Sequence, residues 1–240
     1  MLESPRNNAA IPSTLNRLLS ALDQSGRDRF SSMRRVELKA KQVLYLPDQR
    51  ITEIYFSENC VLAMVTVMEN GATIESATVG HEGASWISAS FKSPTMPCQT
   101  MVTVGGNAYR VSTDLVEHEI RQNGSFHNTL SHYSHALLIQ TLRSTACNGL
   151  HTLEQRCSRW MLTTLDRTDV DHFFITHGFL ASLLGVQRPG VSELVGRLAS
   201  HGVLEIRRGQ IRVADRKKLE HFSCECYGIM KQQFAMSFQK

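Results

Sequence analysis

Apolar and polar positions divide the chain into successive textures. After a polar leader, Leu15, Leu18, Leu19 and Leu22 fall on one face of a helix predicted from about Ser13 to Asp23. Ser13 or Thr14 is placed to cap it, and Gly26 lies just past its end. From Val36 to Val111 short apolar runs alternate with turn residues. The runs are Gln42–Leu46, Ile51–Phe56, Val61–Val67, Thr73–Val79, Met101–Val104 and Ala108–Val111. Strands at this spacing predict a β-barrel, roll or sandwich. Asn70-Gly71 between two of the runs is a hairpin signal, since a tight turn there needs positive φ.

After Ser112 the period changes from two to nearly four. Ser112 or Thr113 caps a predicted helix that reaches about Gln122. Ser125 then opens a stretch without Pro or Gly until Gly149, in which Leu130, Tyr133, Leu137, Leu138, Leu142 and Ala146 form a helical stripe. A helix of about 22 residues is roughly 33 Å long and needs a partner surface. Leu150–Leu165 continues as another helix, and Phe173–Ile175 is a short strand. Thr176 caps a helix to Leu184, and Gly185 breaks it. A second helix runs from Arg188 or Pro189 to Ser200. Val203–Ile206 and Ile211–Val213 then flank Arg207-Arg-Gly-Gln210 as a hairpin, and Ala214–Phe234 is a closing helix. Two helices meeting at a turn and followed by a hairpin make a winged helix-turn-helix.

Charge sharpens this reading. The net charge is +4, but Thr176–Lys218 holds eight Lys/Arg against three acids, so that stretch carries +5 and the remainder −1. A basic module joined to a nearly neutral one is the footprint of a nucleic-acid reader. No stretch approaches the roughly 20 apolar residues of a membrane span, and the N-terminus has no secretory pattern, so a cytoplasmic location without membrane contact is expected.

Between Thr176 and Ile211 the chain resembles the C-terminal helix-turn-helix of the Crp/Fnr family of bacterial transcription regulators. Ala181, Leu184-Gly-Val186, Arg188, Val191, Leu194, Arg197-Leu198, Gly202 and Arg208-Gly-Gln-Ile211 carry the resemblance. Upstream, Leu44-Tyr-Leu46, Ile54-Tyr-Phe56, Asn70-Gly71 and Val79-Gly-His-Glu-Gly83 follow the order of the family's cyclic-nucleotide-binding-like β-roll. The resemblance implies an α+β fold in three parts: an N-terminal β-roll with flanking helices (13–124), a long dimerisation helix (125–149) and a C-terminal winged helix-turn-helix (150–225). It also implies a homodimer on a two-fold symmetric duplex site, with RNA polymerase as a protein partner. The stripe residues Leu130, Tyr133, Leu137, Leu138 and Leu142 become the dimer seam. Thr176, Gln187, Arg188, Gly190, Ser192, Arg197, Arg207 and Arg208 become the DNA-binding set.

Arg188 matches the family arginine that opens the second helix, and an arginine can grip guanine O6 and N7 with both prongs. Pro189 suits a first helical turn but disfavours helical geometry at Arg188, which places Arg188 at the helix edge. Gly190 is expected to allow close backbone approach to DNA. Where the family often has Glu and then a basic residue, this chain has Pro189 and Glu193, so the operator should differ.

The family's cyclic-phosphate contacts, a Gly-Glu pair followed by Arg-Ser or Arg-Thr, are missing. From Val79 to Val104 the only basic side chain apart from His81 is Lys92, so cAMP and cGMP are not expected to bind. Cysteines stand at 60, 98, 147, 157, 224 and 226, with none near the N-terminus where family members carry an iron–sulfur cluster. Cys224-Glu-Cys226 is an isolated pair whose thiols would point apart on a helix, and it reads as structural. His132 and His135 read as surface residues, Trp86 and Trp160 as core aromatics. No metal or cofactor is expected. No nucleophile elbow, zinc-protease helix or phosphate loop occurs, so nothing argues for an enzyme. A second reading is a ligand-binding or redox-responsive module acting on a protein partner; the basic wing and Arg188 argue against it.

Overall fold

The structure is a computed structural model that describes residues 14–85, 93–168 and 170–238. The polar leader, Ser13, Trp86 and Lys92 lie outside the described residues. No described helix is long and apolar enough to cross a membrane.

The first helical segment is split. α1 (Arg17–Ser20) starts at Asn16, whose Oδ1 accepts the Leu19 N–H at 3.1 Å. The same buried side chain donates to the carbonyls of Ser57 and Gly83 at 2.9 and 2.7 Å, so the cap also pins the helix to the strands. α2 (Gln24–Arg29) restarts at Asp23, which accepts the Gly26 N–H at 2.7 Å. Gly26 therefore sits inside a helix, not past its end, because the Asp23 cap supplies a start where glycine would supply a stop. Leu18, Leu19 and Leu22 face the core, whereas Leu15 is exposed.

Seven strands follow among the described residues: β1 (Arg34–Leu38), β2 (Val43–Tyr45), β3 (Glu53–Ser57), β4 (Val61–Val67), β5 (Thr73–Val79), β6 (Gln99–Val104) and β7 (Gly106–Ser112). They form two antiparallel sheets, ordered β1-β7-β3 and β2-β6-β4-β5, which make up the roll. β1 is not among the expected runs, since its exposed Arg34, Arg35 and Glu37 dilute the apolar signal. β4 and β5 pair across the Asn70-Gly71 turn, where Gly71 has φ +80° and the Met68 N–H meets the Ala72 carbonyl at 2.8 Å. Ile54, Phe56, Leu62, Val79 and Val102 fill the space between the sheets together with Leu18, Leu19 and Phe30. Full burial of each such side chain stabilises the fold by about 1.5–3 kcal/mol.

α3 (Thr113–Arg121) leads to α4 (Ser125–Leu150), whose 26 residues span about 39 Å. Its stripe has two faces. Leu130, Tyr133 and Leu137 are at most 3% exposed and pack into the chain's own core, beside Phe126 and the roll. These three, expected in the seam, thus pack within their own chain. Leu138 and Leu142 point outward, at 56% and 62% exposure. His132 and His135 are exposed.

α5 (Leu153–Leu165) opens with a capping box between Thr152 and Gln155. Then come β8 (His172–Phe174), α6 (His177–Leu184), α7 (Arg188–Ser200), β9 (Leu204–Arg207), β10 (Gln210–Val213), α8 (Arg216–Phe222) and α9 (Cys226–Met236). A small sheet ordered β8-β10-β9 backs the helices. The single closing helix expected from Ala214 is broken at Ser223, where extended backbone turns Cys224 and Cys226 inward.

This C-terminal part docks on the β4–β5 hairpin and on the loop after β5. Trp160 is buried, and its indole N–H donates to Glu75 of β5 at 2.8 Å. The Thr78 hydroxyl donates to the other Glu75 oxygen. Arg167 meets Glu82 at 2.6 Å, with both side chains under a tenth exposed. The same guanidinium donates to Gln140 of α4 at 3.2 Å and lies over the Phe234 ring at 4.9 Å. Gly80 makes room for it, since a Cβ there would fall 2.4 Å from the Arg167 Cβ.

Glu75 is enclosed, and burial raises its carboxyl above the ordinary glutamate range despite the Thr78 and Trp160 hydrogen bonds. A raised acid stabilises the fold fully below its unfolded pKa, about 4.5, and loses that contribution as pH rises through the folded value. Glu75→Gln keeps an acceptor for Trp160 without the charge. Thermal melts should show the variant at least as stable as the parent at pH 8, with a flatter decline from pH 5 upward. A less stable variant with an unchanged slope would contradict this account of Glu75.

Candidate nucleic-acid interface

α6 and α7 meet at Gly185, which closes α6 with φ +63°. A Cβ at Gly185 would also fall 2.9 Å from Ile74 of β5, so the turn is seated on the roll hairpin. Leu180, Leu183 and Leu184 of α6 and Val191, Leu194, Val195 and Leu198 of α7 are buried against one another and α5. This fixes the faces. Gln187 precedes α7, Arg188 is its first residue and Pro189 its second, all three exposed. Arg188 thus stands at the helix edge, as the proline predicts. The first-turn N–H groups and the helix dipole make that end attractive to phosphate.

The other expected positions divide. Thr176 is exposed, and its hydroxyl accepts the Phe179 N–H at 3.2 Å as the cap of α6. Ser192 Oγ lies 3.0 Å from His177 Nδ1 and ties α7 to the start of α6. His177 was missed by sequence reasoning, because nothing in its spacing announces a partner fifteen residues away. Gly190 is half-buried, and a Cβ there would come 3.3 Å from Leu153 Cδ2, so the missing side chain also eases the packing of α7 on α5. Arg197 is half-exposed but held by Glu154 of α5 at 2.7 Å.

The wing is a tight β9–β10 hairpin. Arg208 and Gly209 occupy its turn with φ +47° and +82°, the geometry of a two-residue hairpin loop. Arg207 is 81% exposed, its nearest acid being Glu205 at 3.9 Å.

Pairing redistributes the basic excess. Arg212 meets Asp171 at 2.7 Å and Glu205 at 3.2 Å. Hydrogen bonds from His172 and Arg212 hold the Asp171 carboxyl below its ordinary range. Arg216 is engaged by Asp166 and Glu220, and Lys218 by Asp215 at 3.4 Å. Among the described residues Arg188, Arg208 and Lys217 have no acidic partner. The unneutralised cations of this domain thus include the edge of α7 and the tip of the wing, the two places where a winged helix-turn-helix meets a duplex.

Comparison with known proteins agrees with this geometry. Residues 155–222 match the Crp-like helix-turn-helix domain family. A transcriptional regulator of the Crp/Fnr family from Eubacterium rectale has a similar structure, with a TM-score of 0.63 at 15% identity over 87% of this chain and 98% of its own. FixK2 from Bradyrhizobium japonicum gives 0.65 at 14% identity, covering 80% of this chain and 98% of its own. A regulator of the CRP family from Thermus thermophilus gives 0.62 at 16% identity over 80% and 96%. No curated protein matches the chain in sequence.

Proposed function

From a Crp-like helix-turn-helix domain set in a Crp/Fnr fold, we propose that the chain is a homodimeric, sequence-specific DNA-binding transcription regulator. The observation that carries this reading is the unpaired Arg188 at the exposed edge of α7, joined by Arg207 and Arg208 on the wing. Arg188 reads bases from the major groove, with Gln187 beside it. The wing arginines and Thr176 hold the phosphate backbone. Ser192 acts through His177 by orienting α7, and Arg197 acts through Glu154.

Leu138 and Leu142 of α4 supply the dimer seam, since both are large, apolar and exposed one helical turn apart. Two α4 helices side by side set the reading helices about 34 Å apart, one turn of the duplex.

The roll is not built for a cyclic nucleotide. A cavity of about 690 Å³ lies between α4 and the strands, lined by Met64, Met96, Cys98, Leu137, Ser131 and His135 among others. Its described lining includes no Lys or Arg, and a phosphate enclosed there would need a cation or several donors.

Three tests follow from these assignments. Arg188→Ala should lose about 1–3 kcal/mol of discrimination per half-site while random duplex still binds. Arg207→Ala or Arg208→Ala should instead weaken both alike and lower the salt slope by about one. Competition binding with the duplex that the parent selects distinguishes these outcomes. Sequence preference retained by Arg188→Ala would place recognition elsewhere. Leu138→Glu with Leu142→Glu should sediment as a monomer with an unchanged melting temperature. A surviving dimer would move the interface off α4. Calorimetric titration with cAMP or cGMP should show no heat at micromolar concentrations, and saturable micromolar binding would make the roll a cyclic-nucleotide sensor.

A further inference from the structure

The last turn of α4 and the break between α8 and α9 bring four metal-ligating side chains together. Cys147 lies in α4, and His151, four residues on, is the residue that ends the helix. Helical spacing puts both on one face. Cys224 lies in the extended break after α8, and Cys226 is the first residue of α9. One donor atom from each residue falls within 4.8 Å of all the others. The Cys147 and Cys224 sulfurs are 3.6 Å apart, and Cys226 Sγ is 3.8 Å from His151 Nδ1. The three cysteines are at most 5% exposed.

We propose that Cys147, His151, Cys224 and Cys226 form a Cys3His site for a zinc ion that fastens the end of α4 to the start of α9. Zinc binds thiolate at about 2.3 Å and imidazole at about 2.0–2.1 Å, so a tetrahedron has edges of roughly 3.5–3.8 Å. The Cys147–Cys224 and Cys226–His151 edges already have that length, and the other donor pairs, all within 4.8 Å, need only close slightly on the ion. A disulfide would need the sulfurs near 2.05 Å and would leave His151 and Cys226 without a role. A four-iron cluster carries one terminal ligand on each iron, outside its cubane core, and needs its ligands spread further than these donors, which lie within 4.8 Å of one another.

The surroundings suit the ion as well. His151 turns Nδ1 toward Cys226, while its Nε2 lies 3.3 Å from the Glu225 carboxylate. A carboxylate on the far nitrogen fixes the tautomer that leaves Nδ1 free to bind metal, as in many zinc sites. Binding replaces three thiol protons, and the resulting ZnS3N unit carries one negative charge. Buried Arg156 and Arg159 of α5 lie close enough to Cys147 to interact with it electrostatically and offset that charge. The ion would clamp the crossing from α4 into the winged-helix domain, because α5 begins directly after His151 at Leu153.

The sequence alone obscured this group. Cys147 and Cys224 are 77 residues apart, and Cys224-Glu-Cys226 looks like a lone pair of divergent thiols only if both stand on one helix. The break after α8 removes that premise.

Full-length protein purified under reducing conditions without chelator should contain one zinc per chain by elemental analysis. Cys224→Ser with Cys226→Ser should lower this at least tenfold, and His151→Ala, which removes a ligand at the margin of the core, should lower it in a chain whose circular dichroism is unchanged. Stripped parent protein titrated with Co2+ should develop thiolate-to-cobalt absorption and intense tetrahedral d–d bands that saturate at one equivalent. Parent protein that carries no zinc and gives no tetrahedral cobalt spectrum overturns the assignment, whether or not the variants fold. Iron with acid-labile sulfide in place of zinc, or a Cys147–Cys224 disulfide in the purified protein, overturns it too.

Discussion

Glu82 and Arg167 are both drawn out of water, and the cost of drying two charges is offset only while they touch. Glu82 belongs to the loop after β5, Arg167 to the segment that leaves α5, and Gln140 of α4 completes the contact. Three parts of the chain therefore converge on one guanidinium. Removing one partner from a buried pair of this kind costs about 3–5 kcal/mol, which is a large share of the stability of an ordinary domain. The Glu75–Trp160 hydrogen bond and the seat of Gly185 on Ile74 are further contacts of the same domain with β5. Together they determine how the winged-helix domain stands relative to the roll and to α4. The direction in which α7 presents its first turn follows from that docking.

Local fold was legible in the sequence wherever one face was buried and one was not. β4, β5, α6 and α7 were found at nearly their observed limits, because period, cap and glycine agreed. β1 was blurred, since its partner strand β7 holds it by backbone pairing while its side chains stay mostly exposed. The stripe on α4 was visible as apolar, but its division into an inner face and an outer face was not. Leu137 and Leu138 are adjacent in sequence and alike in chemistry, and only the position of the roll makes one core and the other surface.

The candidate interface was legible as a charge excess and as the Arg188-Pro189 junction. Sequence could not tell which cations folding would neutralise. Arg212, Arg216 and Arg197 find acids from β8, α5 or the segments beside them, through partners 41, 50 and 43 residues away. Arg188 and Arg208 find none among the described residues. The contact of Gly190 with Leu153 was not legible, because a glycine that admits a neighbouring helix and one that admits a ligand look the same in a sequence.

Dimer, helix spacing and unpaired arginines meet in one observable, the symmetry of the DNA that the protein prefers. Full-length protein mixed with a random duplex pool, followed by sequencing of the bound fraction, reads it directly. The expected result is a two-fold symmetric motif with half-sites about 10 base pairs apart, centre to centre. A bound fraction with no enriched sequence, or with a single unpaired half-site, would contradict the account.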